Sequence, residues 1–110
     1  MKIAIPLADG KLTAHFGHCQ EFAIIEVEGD EITNKQTLAP PPHEPGILPA
    51  WLHEMNTHMI IAGGMGQRAI GLFNQLGIKV ITGAPVREPE ELVKSYLDNA
   101  LITGGNVCDH

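Results

Sequence analysis

The fold is decided by residues 58–68, which read HMIIAGGMGQR. The run 58–62 is short and apolar, as in a buried strand, and the glycines after it predict a turn. Residues 67–76 then place Ile70, Phe73 and Leu76 at helical spacing, with Gly77 as the stop. A buried strand that turns directly into a helix is typical of an α/β protein.

The same alternation extends to both sides of this stretch. The predicted strands are residues 2–7, 21–28, 31–38, 58–62 and 78–82, and Gly29-Asp30 is a hairpin turn. The predicted helices are residues 48–56, 67–76 and 89 to about 101, with a proline-rich loop before the first. The order βββαβαβα predicts a five-stranded mixed sheet with helices on both faces, a three-layer arrangement.

Composition limits the function classes. With 110 residues, 44% of them hydrophobic and 18% charged, the chain is predicted to form one domain over residues 1–110, with a flexible tail at 103–110. The net charge of −6 argues against nucleic acid as a partner. No signal peptide or membrane span is recognisable, which predicts a cytoplasmic protein whose two cysteines are thiols.

Two short segments combine thiols with imidazoles. The first is His15-Phe16-Gly17-His18-Cys19, and the second is Cys108-Asp109-His110 at the C-terminus. Thiolate and imidazole are ligands for soft or borderline metals, so Cys19, His18, Cys108 and His110 are candidate metal ligands, although the spacing matches no standard zinc pattern. The alternative is that Cys19 is a small buried hydrophobe, that the histidines are turn residues, and that the tail is solvated.

The glycine turn is a candidate anion site. Gly63, Gly64 and Gly66 precede a helix whose first N–H groups could bind an anion, and Arg68 adds a full charge. The turn fits neither a Walker loop nor a dinucleotide fingerprint, and its glycines could serve only to let the chain turn and pack closely. Met65 is predicted to line a ligand pocket, because packing does not readily explain a methionine between glycines. His43, on the proline loop, is predicted to face the same cleft.

Three of these segments together resemble the dinitrogenase iron-molybdenum cofactor biosynthesis family. They are residues 15–19, the end of the proline loop at 43–46, and residues 61–66, and the resemblance spans nearly the whole chain. It implies a ribonuclease H-like fold and non-enzymatic binding, carriage or assembly of a metal-sulfur cluster. The His-Cys pair and the Cys-containing tail are most similar to the molybdenum-copper orange-protein branch of the family.

The resemblance also implies the cargo and the partners. The cargo would be a molybdenum-copper-sulfide cluster or an iron-molybdenum or iron-sulfur cluster, held noncovalently by residues 15–19, His43, residues 63–66 and Arg68. An acceptor or assembly protein would receive it from a monomer or weak dimer. The alternatives are a metal-free regulatory module that binds a nucleotide or other ligand, and a Cys/His enzyme, for which no third orienting residue is evident. A two-metal nuclease is disfavoured, since Asp9 is the sole acidic residue near the first strand.

Overall fold

The computed structural model describes residues 1–16, 19–42 and 46–104. Its strands are β1 (Lys2–Ala8), β2 (Lys11–Leu12), β3 (Glu21–Glu28), β4 (Glu31–Leu38), β5 (Met59–Ile61) and β6 (Lys79–Ile81). Its helices are α1 (Ile47–Glu54), α2 (Gln67–Gln75) and α3 (Pro89–Leu97). This confirms the predicted α/β class. Within the described ranges, no helix has the length and apolar character needed to cross a lipid bilayer.

The strands form one mixed sheet. Their order is β4-β3-β1-β5-β6, and β2 pairs with the end of β1. β1, β5 and β6 run parallel, whereas β3 is antiparallel to both β1 and β4. The three parallel strands therefore end on the same side of the sheet, which we call the carboxyl edge. Ligands of open α/β sheets bind at such edges.

The sheet has one strand more than the five predicted. Asp9 and Gly10 turn the chain with positive φ angles of 55° and 81°. Lys11–Leu12 then folds back on β1, with Leu12 opposite Leu7. The observed order of the described elements is thus ββββαβαβα. A strand of two residues is too short to show the alternation by which a strand is recognised in sequence.

Helices cover both faces of the sheet, as predicted. Leu52 of α1 and Phe73 of α2 belong to a buried cluster that includes Ile24 of β3. Leu92 of α3 belongs to a second cluster with Ile25, the next residue of the same strand. Successive side chains of a strand point to opposite faces, so α1 and α2 lie on one face and α3 on the other.

The last helix is shorter than predicted. α3 ends at Leu97 rather than near Leu101 because Asn99 adopts a left-handed conformation with φ 55°. The Asn99 N–H donates to the Tyr96 carbonyl at 3.1 Å, and the Ala100 N–H donates to the Ser95 carbonyl at 2.7 Å. Asparagine tolerates this conformation better than most residues, and the helix cannot continue through it.

Candidate functional site

Three loops are hydrogen-bonded to one another at the carboxyl edge. The Gly64 N–H donates to the Ala14 carbonyl at 2.6 Å, and the Phe16 N–H donates to the Gly64 carbonyl at 2.9 Å. On the other side of the glycine turn, the Gly83 N–H donates to the Gly63 carbonyl at 2.6 Å. The backbone ladder of the sheet thus continues beyond the ends of the strands. We call residues 14–16 and 63–68 the candidate site.

Gly63 makes the contact between the first two loops possible. A Cβ atom on Gly63 would lie 2.8 Å from the carbonyl oxygen of Thr13 and 3.0 Å from the Cα of Ala14. Both contacts are with backbone atoms, which a side-chain rotation cannot relieve. For Gly63 the structure therefore supports the close-packing interpretation of the glycine turn.

An aromatic anchor fixes residues 14–16 to the core. Phe16 is 8% exposed, and its ring packs edge-to-face against Phe22 and Phe73, at centroid distances of 6.1 and 5.7 Å. Phe22 in turn packs against Trp51 at 5.6 Å. The Phe16 ring is thus mainly a core group that holds the loop, although it was predicted among the cofactor-binding residues.

His15 and the preceding Ala14 are exposed, whereas Thr13 and Phe16 on either side of this pair are buried. The Thr13 hydroxyl donates to the His15 carbonyl at 3.2 Å. His15 also pairs with Gly64 in a parallel bridge. Its backbone is therefore held firmly while its imidazole reaches the surface beside the glycine turn.

The start of α2 completes the candidate site. Gly66 caps the helix in an extended conformation, with φ −67° and ψ 153°, and contributes no side-chain cap. The first turn of α2 contains no acidic residue, and Arg68, its second residue, is exposed. The helix dipole, the first N–H groups and a guanidinium together favour an anion at this end of the helix.

Met65 belongs to the core rather than to an open pocket. Its side chain is fully buried in the same cluster as Phe16 and Phe73. Packing therefore explains this residue, and the expectation that it does not was wrong. Met65 leaves no exposed surface for a ligand in this structure.

Cys19 is a free, half-buried thiol. Its side chain packs against the core cluster that contains Phe16, and its N–H donates to the Phe16 carbonyl at 3.3 Å. Burial raises the pKa of the Cys19 thiol above its ordinary value, although a backbone hydrogen bond partly opposes this. The thiol is therefore protonated near neutral pH, and metal ligation by Cys19 would require release of that proton.

The structure thus brings together seven of the predicted site residues: His15, Phe16, Gly63, Gly64, Met65, Gly66 and Arg68, of which Phe16 and Met65 are buried. Five others, Gly17, His18, His43, Cys108 and His110, lie outside the described residues. Among residues 1–16, 19–42 and 46–104, no three His, Cys, Asp or Glu side chains form a metal-binding group. Sequence reasoning missed Gly83 and Gly104, which join this edge by backbone contact alone. The only signal was a glycine just after the last predicted strand.

The carboxyl edge of this α/β sheet carries an exposed histidine, an exposed arginine and a helix N-terminus without a side-chain cap. The chain belongs to the dinitrogenase iron-molybdenum cofactor family, whose model matches residues 1–99. The predicted family resemblance is thereby confirmed.

Related proteins span nearly the whole chain. The protein MJ0580 of Methanocaldococcus jannaschii is 37% identical over 106 residues, which cover 92% of this chain and 89% of that protein. The crystal structure of PH0822 is similar with a TM-score of 0.87 at 30% identity, covering 94% of each chain. The apo form of the orange protein from Desulfovibrio gigas gives a TM-score of 0.75 at 19% identity, over 96% of this chain and 93% of the other. At that identity the likeness shows a shared fold alone, so membership of the orange-protein branch stays a prediction.

Proposed function

We propose that this protein binds and carries an anionic metal-sulfur cluster at the candidate site and catalyses no reaction on it. The observation that carries the proposal is the uncapped start of α2, with Arg68 in its first turn, joined by hydrogen bonds to the loop that presents His15. The cargo would be a molybdenum-copper-sulfide, iron-molybdenum or iron-sulfur cluster. The proposal treats residues 1–110 as one cytoplasmic cofactor-binding domain of the ribonuclease H-like type, monomeric or weakly dimeric, that passes its cargo to an acceptor or assembly protein.

The chemistry of the exposed groups supports noncovalent capture. A thiometallate cluster is a bulky anion whose sulfur atoms accept hydrogen bonds, and an imidazole, a guanidinium and backbone N–H groups donate them. Because no metal–protein bond has to break, such a cluster can be released to an acceptor. The net charge of −6 does not attract an anion from a distance, so affinity must come from these local donors.

Gly66 supports a ligand at this position. Its φ and ψ angles are ordinary for any residue, and a Cβ atom there would meet nothing within 4 Å. Neither backbone strain nor crowding therefore requires glycine. Serine would cap the helix better, so the lack of a side chain keeps the backbone open to a ligand at the expense of helix stability.

Direct ligation is the second way in which the cluster could be held. The candidate ligands are Cys19, His18, Cys108 and His110, of which the structure describes Cys19 alone. X-ray absorption of the loaded protein separates the two modes, because imidazole or thiolate bonds to the metal would appear in its first coordination sphere. Noncovalent capture predicts the same metal environment as in the free cluster.

The function is tested by anaerobic loading. The purified protein is incubated with tetrathiomolybdate, with and without copper(I), and separately with an iron-sulfur reconstitution mixture, and is then desalted. We expect a coloured protein with stoichiometric metal and sulfide by elemental analysis. A protein that stays colourless and metal-free in all three would contradict the proposal, and a nucleotide bound instead would indicate a regulatory module.

Gly66→Ser tests where the cluster binds. Serine is expected to stabilise α2 by about a few tenths of a kcal/mol through capping, and to weaken cluster binding because its side chain fills the approach and occupies an N–H group. Gly71→Ala is the matched control, since it lies within α2, meets nothing within 4 Å, and should stabilise the helix by about 1 kcal/mol.

Both variants are compared by thermal melting and by cluster titration. Weakened binding in Gly66→Ser with normal binding in Gly71→Ala would place the cluster at the start of α2. Equal affinity in both variants would contradict that location.

A further inference from the structure

The two outermost strands of the sheet are protected to different degrees. β4 and β6 end the strand order, so each leaves one side of its backbone without a neighbouring strand among the described elements. Proteins protect such open sides with bulges, charged side chains or short strands, because a further strand can pair there. β4 is exposed almost throughout, contains Lys35, and has a register shift opposite Glu26 and Val27 of β3. β6 has no register shift and is protected only by its short length and by Lys79.

The backbone of β6 offers hydrogen-bonding groups on its open side. The Lys79 N–H donates to the His58 carbonyl at 3.1 Å, and the Ile81 carbonyl accepts an N–H from the loop after β5 at 2.8 Å. These two residues therefore face β5. Because backbone groups alternate along a strand, the N–H and carbonyl groups of Val80 and Thr82 point to the open side. We call residues 79–82 the β6 edge.

The side chains of the β6 edge are partly apolar. Val80 packs against the core cluster on the face of α1 and α2, and Ile81 packs against the cluster on the face of α3. Both are only half-buried, as is Thr82. Lys79 is exposed and lies over the ring of Tyr96, 5.9 Å from its centroid. A strand added here would therefore cover apolar surface on both faces of the sheet.

The charges of the chain are segregated around this edge. The sequence has 13 acidic residues, yet none lies in residues 55–87, which include β5, α2 and β6. This segment carries Arg68, Lys79 and Arg87, which are exposed and form no ion pair with any residue in the described ranges. Residues 26–31, in the β3–β4 hairpin on the other side of the sheet, contain four acidic residues. The β6 edge is therefore complementary to an acidic partner despite the net charge of −6.

We propose that the β6 edge is a docking site for an extended acidic segment of the acceptor protein, which adds a strand to the sheet. Backbone hydrogen bonds to Val80 and Thr82 supply affinity, and the surrounding cations select for carboxylates. A second copy of this chain fits less well. Pairing two β6 edges would bring two positively charged surfaces together, and the β4 edge of a second copy is interrupted by its register shift.

The β6 edge leads directly to the candidate site. The chain continues from Thr82 into Gly83, whose N–H donates to the Gly63 carbonyl in the glycine turn at 2.6 Å. A segment paired with β6 would thus have one end beside the proposed cluster. The proposal deepens the proposed function and rests on it for the role of the partner as acceptor. The docking itself is measured without a cluster, so the two proposals can fail separately.

Docking is measured with a synthetic probe in the metal-free protein. The probe is a peptide of alternating glutamate and valine, about eight residues long, and the control peptide has lysine in place of glutamate. We expect the glutamate peptide to shift the amide NMR signals of Val80 and Thr82 saturably. It should also slow hydrogen exchange at these two amides by about tenfold or more. The lysine peptide should change neither.

Two variants test the β6 edge. Val80→Pro removes an N–H from the open side and leaves the hydrogen bonds to β5 in place, so it should weaken binding of the glutamate peptide by about tenfold or more. Lys79→Glu changes only an exposed side chain. It should weaken binding of the glutamate peptide by about fivefold and strengthen binding of the lysine peptide.

Thr37→Pro is the matched control for Val80→Pro. Val27 and Met1 exchange two backbone hydrogen bonds of 2.8 Å, so by alternation Ala23 of β3 also faces β1. Its partner Thr37 therefore directs its N–H to the open side of β4. Proline at this position should leave binding of the glutamate peptide unchanged. Thermal melting of the variants checks that each remains folded.

Each result has a distinct meaning. The proposal is overturned if millimolar glutamate peptide gives no saturable shift at Val80 and Thr82, or if both peptides act equally. Shifts at these amides that depend on protein concentration alone would assign the β6 edge to a second copy instead. If the peptide docks but the protein takes up no cluster, the proposed function fails and the docking site stands. If cluster binds and the peptide does not, the docking site alone is refuted.

Discussion

Phe16→Ala is expected to lower the free energy of unfolding by about 3–5 kcal/mol and to abolish cluster retention at the same time. The ring is 8% exposed and sits between Phe22 and Phe73, so its removal leaves a cavity and breaks two edge-to-face contacts. The same ring anchors the loop that presents His15. Stability and binding should therefore fall together, as measured by urea unfolding and by cluster titration.

His15→Ala is the control for this result. His15 is adjacent to Phe16 but exposed, so its replacement should change the free energy of unfolding by no more than about 0.5 kcal/mol. Cluster binding should nevertheless weaken, because the imidazole is a proposed contact.

A Phe16→Ala protein that unfolds at the same urea concentration as the wild type would show that the aromatic anchor does not hold this loop.

Gly63→Ala is expected to separate the two loops of the candidate site. The added Cβ atom would lie 2.8 Å from the Thr13 carbonyl oxygen and 3.0 Å from Ala14, so one backbone segment must move. Such overpacking costs about 1–3 kcal/mol of stability. The hydrogen bonds from Gly64 to Ala14 and from Phe16 to Gly64 should weaken. Cluster affinity should fall because His15 no longer lies beside the glycine turn.

Amide hydrogen exchange measures this separation directly. The N–H groups of Gly64 and Phe16 should exchange faster in Gly63→Ala, while those of the central strand β1 keep their protection after correction for global stability. Gly71→Ala, in α2, should leave both site amides protected. Unchanged exchange at Gly64 and Phe16 in Gly63→Ala would mean that the loops accommodate a methyl group, contrary to the close contact described.

Local patterns were sufficient to predict much of the fold. Apolar runs and helical spacing are properties of neighbouring residues, so the long strands, the three helices and their two-sided arrangement could be read from the chain. The two-residue strand β2 has no such pattern. The early end of α3 depends on the left-handed conformation of Asn99. An asparagine can adopt this conformation but often does not, so its presence in the sequence does not predict the end of the helix.

The meeting of the turn after β1 with the glycine turn at the carboxyl edge was predictable from the sequence, whereas the orientation of their side chains was not. A motif indicates that Phe16 and Met65 accompany the histidine and the glycines, but it does not show which side chains face the core. Both prove to be buried, and packing accounts for them. The contact between Gly83 and Gly104 joins residues far apart in sequence through backbone atoms. Because no side chain takes part, no pattern in the sequence predicts it.

The carboxyl edge is joined by backbone hydrogen bonds across residues 14–16, 63–64, 83 and 104. A backbone framework of this kind depends on the glycines that let its segments approach each other closely. It depends very little on the identity of the exposed side chains. The exposed positions of His15 and Arg68 can therefore be exchanged while the frame keeps its shape. One scaffold could then acquire a different cargo preference through surface substitutions alone, without a new core or a new topology.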